Sequence, residues 1–223
     1  MKKWEAYDYS TINPSNFVIK KRRIYYFFKK IFDFLASLIA IILLSWLMII
    51  LAILVKCTSK GPAIYKSDRI GKNGRVFKFY KFRTMKVNAE AELESLMKYN
   101  ETGGITFKMK DDPRITKFGK FLRKTSLDEL PQLFNILKGD MSFVGPRPCT
   151  VREYNLYSDY DKLRLLVPQG LTGYWQIHGR SNTTFETMVN MDIFYIIKRR
   201  EFFYDIWLII RTPFKLFGHG AAE

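Results

Sequence analysis

The chain has 223 residues, 48% of them hydrophobic, and carries 37 Lys and Arg against 21 Asp and Glu, a net charge of +16 with a pI near 9.8. This length fills one compact domain plus a membrane element and leaves no room for several domains, while the charge requires anionic partners: nucleic acid, lipid headgroups or nucleotide substrates. Cys57 and Cys149 show neither metal-ligand spacing nor an evident pairing, so they read as reduced thiols without a catalytic role.

Residues 1–30 read as a cytoplasmic or interfacial segment, 31–56 as a membrane-embedded helix, and 57–223 as a cytoplasmic domain. From Phe34 to Val55 the chain has 22 uncharged, mostly aliphatic residues, about 33 Å of helix against a hydrocarbon core of about 30 Å. A cleavable signal fits poorly, because the run starts late, is too long for an h-region and lacks a small-residue cleavage site. Lys20, Lys21, Arg22, Arg23, Lys29 and Lys30 precede the run, and Lys56, Lys60, Lys66 and Arg69 follow it, so both flanks favour the cytoplasm. A re-entrant helix bent near Ser45 satisfies both flanks. A straight span is the alternative, since Ser45 can only encourage a bend by bonding back to a carbonyl one turn earlier.

Ala63 to Ile70 and Arg75 to Phe82 flank Lys72-Asn73-Gly74, a hairpin signal. The second strand places Phe77, Phe79, Lys81 and Arg83 on one face, so its cations are either diphosphate contacts or a solvated strand end. Residues 89–98 read as a short helix without chemistry, with Glu90 and Glu94 outward and Leu93, Leu96 and Met97 inward. Gly103-Gly104 breaks the chain. Asp112 as N-cap and Pro113 at N1 then start a helix reaching Arg123.

The stretch Phe121 to Pro148 places an acid pair, Asp128-Glu129, among Arg123, Lys124 and a rigid Pro146-Arg147-Pro148. Ser126 with Glu129 forms a capping box, and Leu127, Leu130, Leu133, Phe134 and Leu137 follow at helical spacing to Lys138 and Gly139. On this pattern alone the acids either open a phosphate site at a helix N-terminus or only cap it. Leu171 to Arg180, with two glycines, reads as a loop that approaches a ligand, with His178 a polar loop residue. Thr183 with Glu186 starts another helix. From Phe194 to Phe217 cations alternate with aromatics, which suits either a membrane interface or a packed helix with snorkelling cations.

In order along the chain, these segments resemble those of the bacterial sugar transferases, the monotopic polyprenol-phosphate phosphoglycosyl transferases. The matches are Lys30 to Asp33 with the apolar run, Lys60-Gly61-Pro62, Arg69-Ile70-Gly71, Lys81-Phe82-Arg83-Thr84-Met85, Lys110 to Arg114, Phe121 to Pro148, Leu171 to Gln176 with Gly179-Arg180, and Gly218-His219-Gly220-Ala221. Departures are Trp46 where relatives carry a proline, Ser67 where many have glutamine, and Gln169 between Pro168 and Gly170.

The resemblance implies an α+β fold: a re-entrant N-terminal membrane helix, a small β-hairpin and several helices forming a compact cytoplasmic catalytic domain with interfacial amphipathic helices. It implies transfer of a hexose-1-phosphate of the glucose or galactose type from a UDP-sugar to undecaprenyl phosphate, with release of UMP, on the cytoplasmic face of the bacterial inner membrane. Asp128 is the implied nucleophile, and Glu129, beside it, is the implied ligand of Mg2+, with Asp128 as a second. Arg123 and Arg147 contact phosphate or nucleotide, and Lys81, Arg83, Arg69 and Arg180 are further substrate contacts. Pro146 and Pro148 stiffen Arg147, and Ser126 is structural. Membrane lipids are expected partners and a homo-oligomer stays open. A nucleic-acid binder is disfavoured, because Lys and Arg are spread along the chain and no nucleic-acid module appears. A noncatalytic scaffold of polysaccharide assembly and an N-acetylated amino-sugar donor are the alternatives.

Overall fold

From residue 22 to residue 59 the sequence has no proline or glycine, and in a computed structural model it forms one unbroken α-helix, α1 (Arg23–Thr58). The structure describes residues 3–101, 104–179 and 183–217. Ser45 Oγ donates to the Ile42 carbonyl at 2.9 Å, yet the helix continues through Ser45 and Trp46, since no proline removes a backbone N–H there. One face of α1 is packed along its length by residues three or four apart: Lys29, Asp33 and Ser37, then Ala40, Ile41 and Leu44, then Met48, Leu51 and Val55. The opposite face leaves Phe27, Phe34, Ile42, Trp46, Ile49 and Ile53 exposed. By length and composition, with a mean hydropathy of 3.2 over its most apolar window, α1 suffices to cross a membrane.

The Asn-Gly signal is realised. Strands β1 (Ile64–Ile70) and β2 (Val76–Phe82) pair antiparallel with Ser67 opposite Phe79, and Asn73 and Gly74 take the positive φ values the turn demands, 56° and 79°. Glu90, which takes the Tyr65 hydroxyl, and Glu94 stay exposed, and the helix expected over 89–98 shrinks to α2 (Leu93–Leu96) and a 3₁₀ turn. Helices α3 (Lys117–Thr125) and α4 (Gln132–Leu137) follow. Phe77 and Phe79 pack on Leu133, Ile136 and Met141, with Ala40, Ile41 and Leu44 of α1 against them. On the other face Phe82 packs with Leu122, Met48, Leu51 and Val55. After β3 (Ser142–Val144), the short strand β4 (Cys149–Thr150) joins the free side of β1, giving the order β2-β1-β4. The outer edge of β2 is covered by Asn135, which donates to the Lys78 carbonyl at 2.6 Å and accepts from the Tyr80 N–H at 3.0 Å.

Helices α5 (Val151–Asn155) and α6 (Asp159–Lys162) lead to β5 (Gly170–Thr172) and α7 (Tyr174–His178). Over its described residues, 171–179, the expected ligand loop is therefore a strand and a helix, and β5 runs parallel to β3. Gly145, Gly170 and Gly173 lie so close to facing backbone that a Cβ on any of them would overlap it, so they serve chain-to-chain packing. His178 stacks on Tyr174 with Nδ1 2.9 Å from the Tyr174 carbonyl.

Two helix starts differ from expectation. Thr116 caps α3, because the Asp112 carboxylate instead closes a tight turn, receiving the backbone N–H of Arg114 at 3.0 Å and its guanidinium at 2.6 Å. Thr184 caps α8 (Phe185–Phe194), since Thr183 takes the Trp175 indole N–H at 2.7 Å. A π-helical turn (Tyr195–Arg199) then leads to α9 (Phe202–Phe217). Of the stretch expected at an interface, Phe194, Tyr195, Ile196 and Arg200 are core, and Phe203, Ile210 and Phe214 of α9 are exposed. Trp4, Tyr7, Tyr9 and Ile19 pack on that core, so the N-terminal segment belongs to the folded body.

Asn135→Ala strips two backbone groups of their partner and is expected to cost about 2–4 kcal/mol, read as a lower urea midpoint for the purified protein. An unchanged midpoint would show that the β2 edge holds without the hook.

Candidate active site

The site forms where α3 turns into α4. Ser126 was expected to cap the following helix, but its side chain makes no cap hydrogen bond. It ends α3 instead, in the left-handed conformation at φ 57°, which costs a residue with a Cβ about 1–2 kcal/mol. A 3₁₀ turn, Leu127–Glu129, follows, and the helix expected over 127–138 starts only at Gln132, after Pro131. The Glu129 carboxylate, which a capping box would have tied to the Ser126 N–H, is thereby released toward the cleft.

Lys81, in β2, reaches both acids: Nζ lies 2.8 Å from Glu129 Oε1 and 3.3 Å from Asp128 Oδ2. Arg147 Nη1 donates to the same Glu129 oxygen at 3.2 Å. Arg147 is fixed on both sides, since the Pro146 carbonyl accepts from the Gly170 N–H at 2.9 Å and the Pro148 carbonyl accepts from Arg69 Nη1 at 3.3 Å. Arg69 lies over the Phe79 ring, and its Nε is buried without a partner. Arg123 donates through Nε to Thr84 Oγ1 at 3.0 Å.

Burial alone would raise the Glu129 carboxyl, but Lys81 and Arg147 outweigh it and hold the group well below the usual carboxylate range. Glu129 in turn raises the Arg147 guanidinium. Burial draws Arg69 down, with Arg147 adding to the effect. It draws Arg123 down too, against the opposing charges of Asp128 and Asp112.

The structure thus brings together Asp128, Glu129, Lys81, Arg147, Arg69 and Arg123, with Pro146 and Pro148 bracketing Arg147. Arg83 does not join them: it donates to the Pro62 carbonyl at 2.9 Å and lies over the Tyr65 ring. Strand β2 ends at Phe82, so the alternation that put Lys81 and Arg83 on one face stops there. Arg180 and the Gly218-to-Ala221 motif lie outside the described residues. Sequence reasoning missed two residues, Asn135 and Thr84. Asn135 had a signal, an amide amid the apolar run Leu133-Phe134-Asn135-Ile136-Leu137.

Among the described residues no group of three or more His, Cys, Asp and Glu gathers, and Asp111 pairs at the surface with Lys120 at 3.5 Å. Two adjacent carboxylates sharing one ammonium do fit Mg2+, which takes one or two carboxylates and completes its shell with phosphate oxygens and water.

Two hard carboxylates among guanidinium and ammonium groups are suited to phosphoryl chemistry, and the chain belongs to the bacterial sugar transferase family, which it matches over residues 24–219. It is 46% identical over 195 residues to the galactosyl transferase CpsE of Streptococcus agalactiae, covering 86% of this chain and 43% of that protein. It is 43% identical over 190 residues to the undecaprenyl-phosphate galactose phosphotransferase of Salmonella typhimurium, 83% of this chain and 40% of that protein. To the exopolysaccharide production protein ExoY of Rhizobium meliloti it is 42% identical over 188 residues, 82% of this chain and 83% of that protein. The chain spans about two fifths of the first two relatives.

Ser126→Gly, which suits a positive φ, is expected to keep stability within about 1 kcal/mol, whereas Ser126→Val should lose about 2 kcal/mol or more; equal melting temperatures would contradict this. The depressed Glu129 carboxyl contributes stability that is complete above the ordinary glutamate range near pH 4.3 and fades as the pH falls toward its folded value. Glu129→Gln should therefore melt lower than the native protein at pH 6, and the gap should narrow progressively as the pH falls from about 4.3 toward about 2. A gap as large near pH 2 as at pH 6 would contradict the assignment.

Proposed function

We propose that the protein transfers a hexose-1-phosphate of glucose or galactose type from a UDP-sugar to undecaprenyl phosphate, releasing UMP, as the first membrane step in making a capsule, exopolysaccharide or O-antigen. The observation that carries this reading is Lys81 bridging Asp128 and Glu129 with Arg147 on the same Glu129 oxygen. The printed names of the relatives, two specifying galactose and one exopolysaccharide production, support the substrate class.

In the first step an Asp128 oxygen attacks the sugar-bearing phosphorus, an O–P bond forms, the phosphoanhydride breaks and its electron pair leaves with UMP. In the second, an oxygen of undecaprenyl phosphate attacks the same phosphorus and the Asp128 carboxylate departs, leaving a lipid-linked diphosphate sugar. Asp128 suits this role because among the described residues it takes a single long hydrogen bond, from Lys81, while Glu129 is clamped by two cations. Asp128 and Glu129 would hold Mg2+, which neutralises charge on the diphosphate when bound. Arg147, Arg69 and Arg123 orient the phosphates, and Arg does so bidentately where Lys does not.

The acceptor's tail stays in the bilayer, so the cleft has to lie near the membrane. Continuous packing of one face of α1 on the domain, with the opposite face apolar and exposed, supports a seat in one leaflet, with both basic flanks and the domain on the cytoplasmic side. A straight span would pull the packed domain into hydrocarbon or strip α1 from it.

Protein in nanodiscs with undecaprenyl phosphate, Mg2+ and UDP-galactose or UDP-glucose is expected to release UMP. Asp128→Asn should lower that rate more than about 1000-fold and abolish the covalent sugar-phosphate adduct. Full activity in Asp128→Asn would remove the nucleophile assignment. Release only with an N-acetylated amino-sugar donor would keep the chemistry and change the sugar.

A further inference from the structure

We infer that Thr84 is a positioning residue that aims the Arg123 guanidinium at the donor diphosphate and holds it off Asp128; this rests on the function proposed above. Thr84 is buried two residues beyond the end of β2. Its main chain is locked to the start of α3, because its carbonyl accepts from the Thr116 N–H at 2.9 Å and a Cβ on Gly119 would overlap that carbonyl. The Met85–Ile115 bridge continues the same attachment. From this fixed point the Thr84 hydroxyl accepts from Arg123 Nε at 3.0 Å.

Arg123 sits in the last turn of α3 and feels the charges of Asp128 and Asp112, yet forms no ion pair with either; the Asp112 carboxylate is taken by Arg114. Its two terminal nitrogens have no protein acceptor among the described residues. Anchoring Nε fixes the plane of the guanidinium and leaves Nη1 and Nη2 as a parallel pair, the geometry that matches two phosphate oxygens. Without the hydroxyl, Arg123 is drawn to Asp128, the opposing charge it feels most, and pairing with it would both misplace the cation and blunt the nucleophile.

Thr84→Val keeps shape and removes the acceptor, while Thr84→Ser keeps it. With UDP-galactose or UDP-glucose, undecaprenyl phosphate and Mg2+, Thr84→Val is expected to lower kcat about 10- to 100-fold with a smaller change in KM, and Thr84→Ser to restore most of it. In an Arg123→Lys background, which lacks the Nε–H donor, Thr84→Val should add little. A full, additive loss in that background, a Thr84→Ser variant as poor as Thr84→Val, or a loss confined to KM would overturn the inference and leave the proposed reaction standing. If the native protein released no UMP with any UDP-sugar, both would fall.

Discussion

Two carboxylates on consecutive residues repel, and Lys81 between them is what allows both to face one cleft. At about 4 Å and an effective dielectric near 20, each favourable charge pair is worth roughly 4 kcal/mol before desolvation, so the position of this ammonium is worth fixing. The fold fixes it through the same strand. Asn135 holds β2 by the Lys78 carbonyl and the Tyr80 N–H, the second of these one residue short of Lys81. The segment from Leu127 to Leu137 is thus docked on β2 by an amide at one end and an ion pair at the other. A shift of one residue in that docking would turn Lys81 away from the acids and expose Phe77 and Phe79.

A second polar clasp sets where α1 lies. The buried Lys29 ammonium meets Asp205 of α9 at 2.6 Å, and the hydroxyls of Tyr25 and Tyr195 donate to the same carboxylate at 2.7 and 2.6 Å. Burying an ion pair is costly unless its remaining bonds are filled, and here the tyrosines fill them, so the clasp specifies one arrangement of the two helices. One turn later Asp33 accepts from the Phe143 N–H at 3.1 Å, which ties α1 to the strand leading into Pro146-Arg147-Pro148. Ring contacts of Phe28 and Phe32 with Phe202 join the exposed faces of α1 and α9. In the proposed reaction, this chain of contacts sets the depth at which Arg147 meets a phosphate carried by a membrane lipid.

What the sequence disclosed and what it hid follow from the range of the interactions. The hairpin was legible because Asn73-Gly74 satisfies a local backbone demand, and the apolar helix because composition alone defines it. Asp128, Glu129, Arg147 and Lys81 were legible through ordered motifs, yet their mutual geometry was not, since Lys81 and Glu129 meet only across the fold. Local signals also misled. Ser126 and Glu129 have capping-box spacing, but Lys81 and Arg147 compete for the same carboxylate and win, and Ser126 becomes a left-handed stop. Asp112 reads as a cap until Arg114, two residues on, captures both of its oxygens. The glycines near Leu171 suggested a ligand approach, but the close approach is by the chain itself.

The two acids are not equivalent, and the difference bears on the two attacks of the proposed reaction. Glu129 shares one oxygen between Lys81 and Arg147 and is held ionised, a fixed anion fit for a cation-binding part that does not change through the cycle. Among the described residues Asp128 takes one hydrogen bond, longer than those on Glu129. In the proposed reaction the Asp128 carboxylate becomes part of an acyl phosphate and loses its charge, and Lys81 keeps its partner in Glu129. Among the described residues Arg69 and Arg123 have no carboxylate partner within ion-pair range, and burial draws both down. Cations held this way are destabilised until an anion arrives, and in the proposed reaction they attract the donor diphosphate and then the acceptor phosphate against repulsion from the acids.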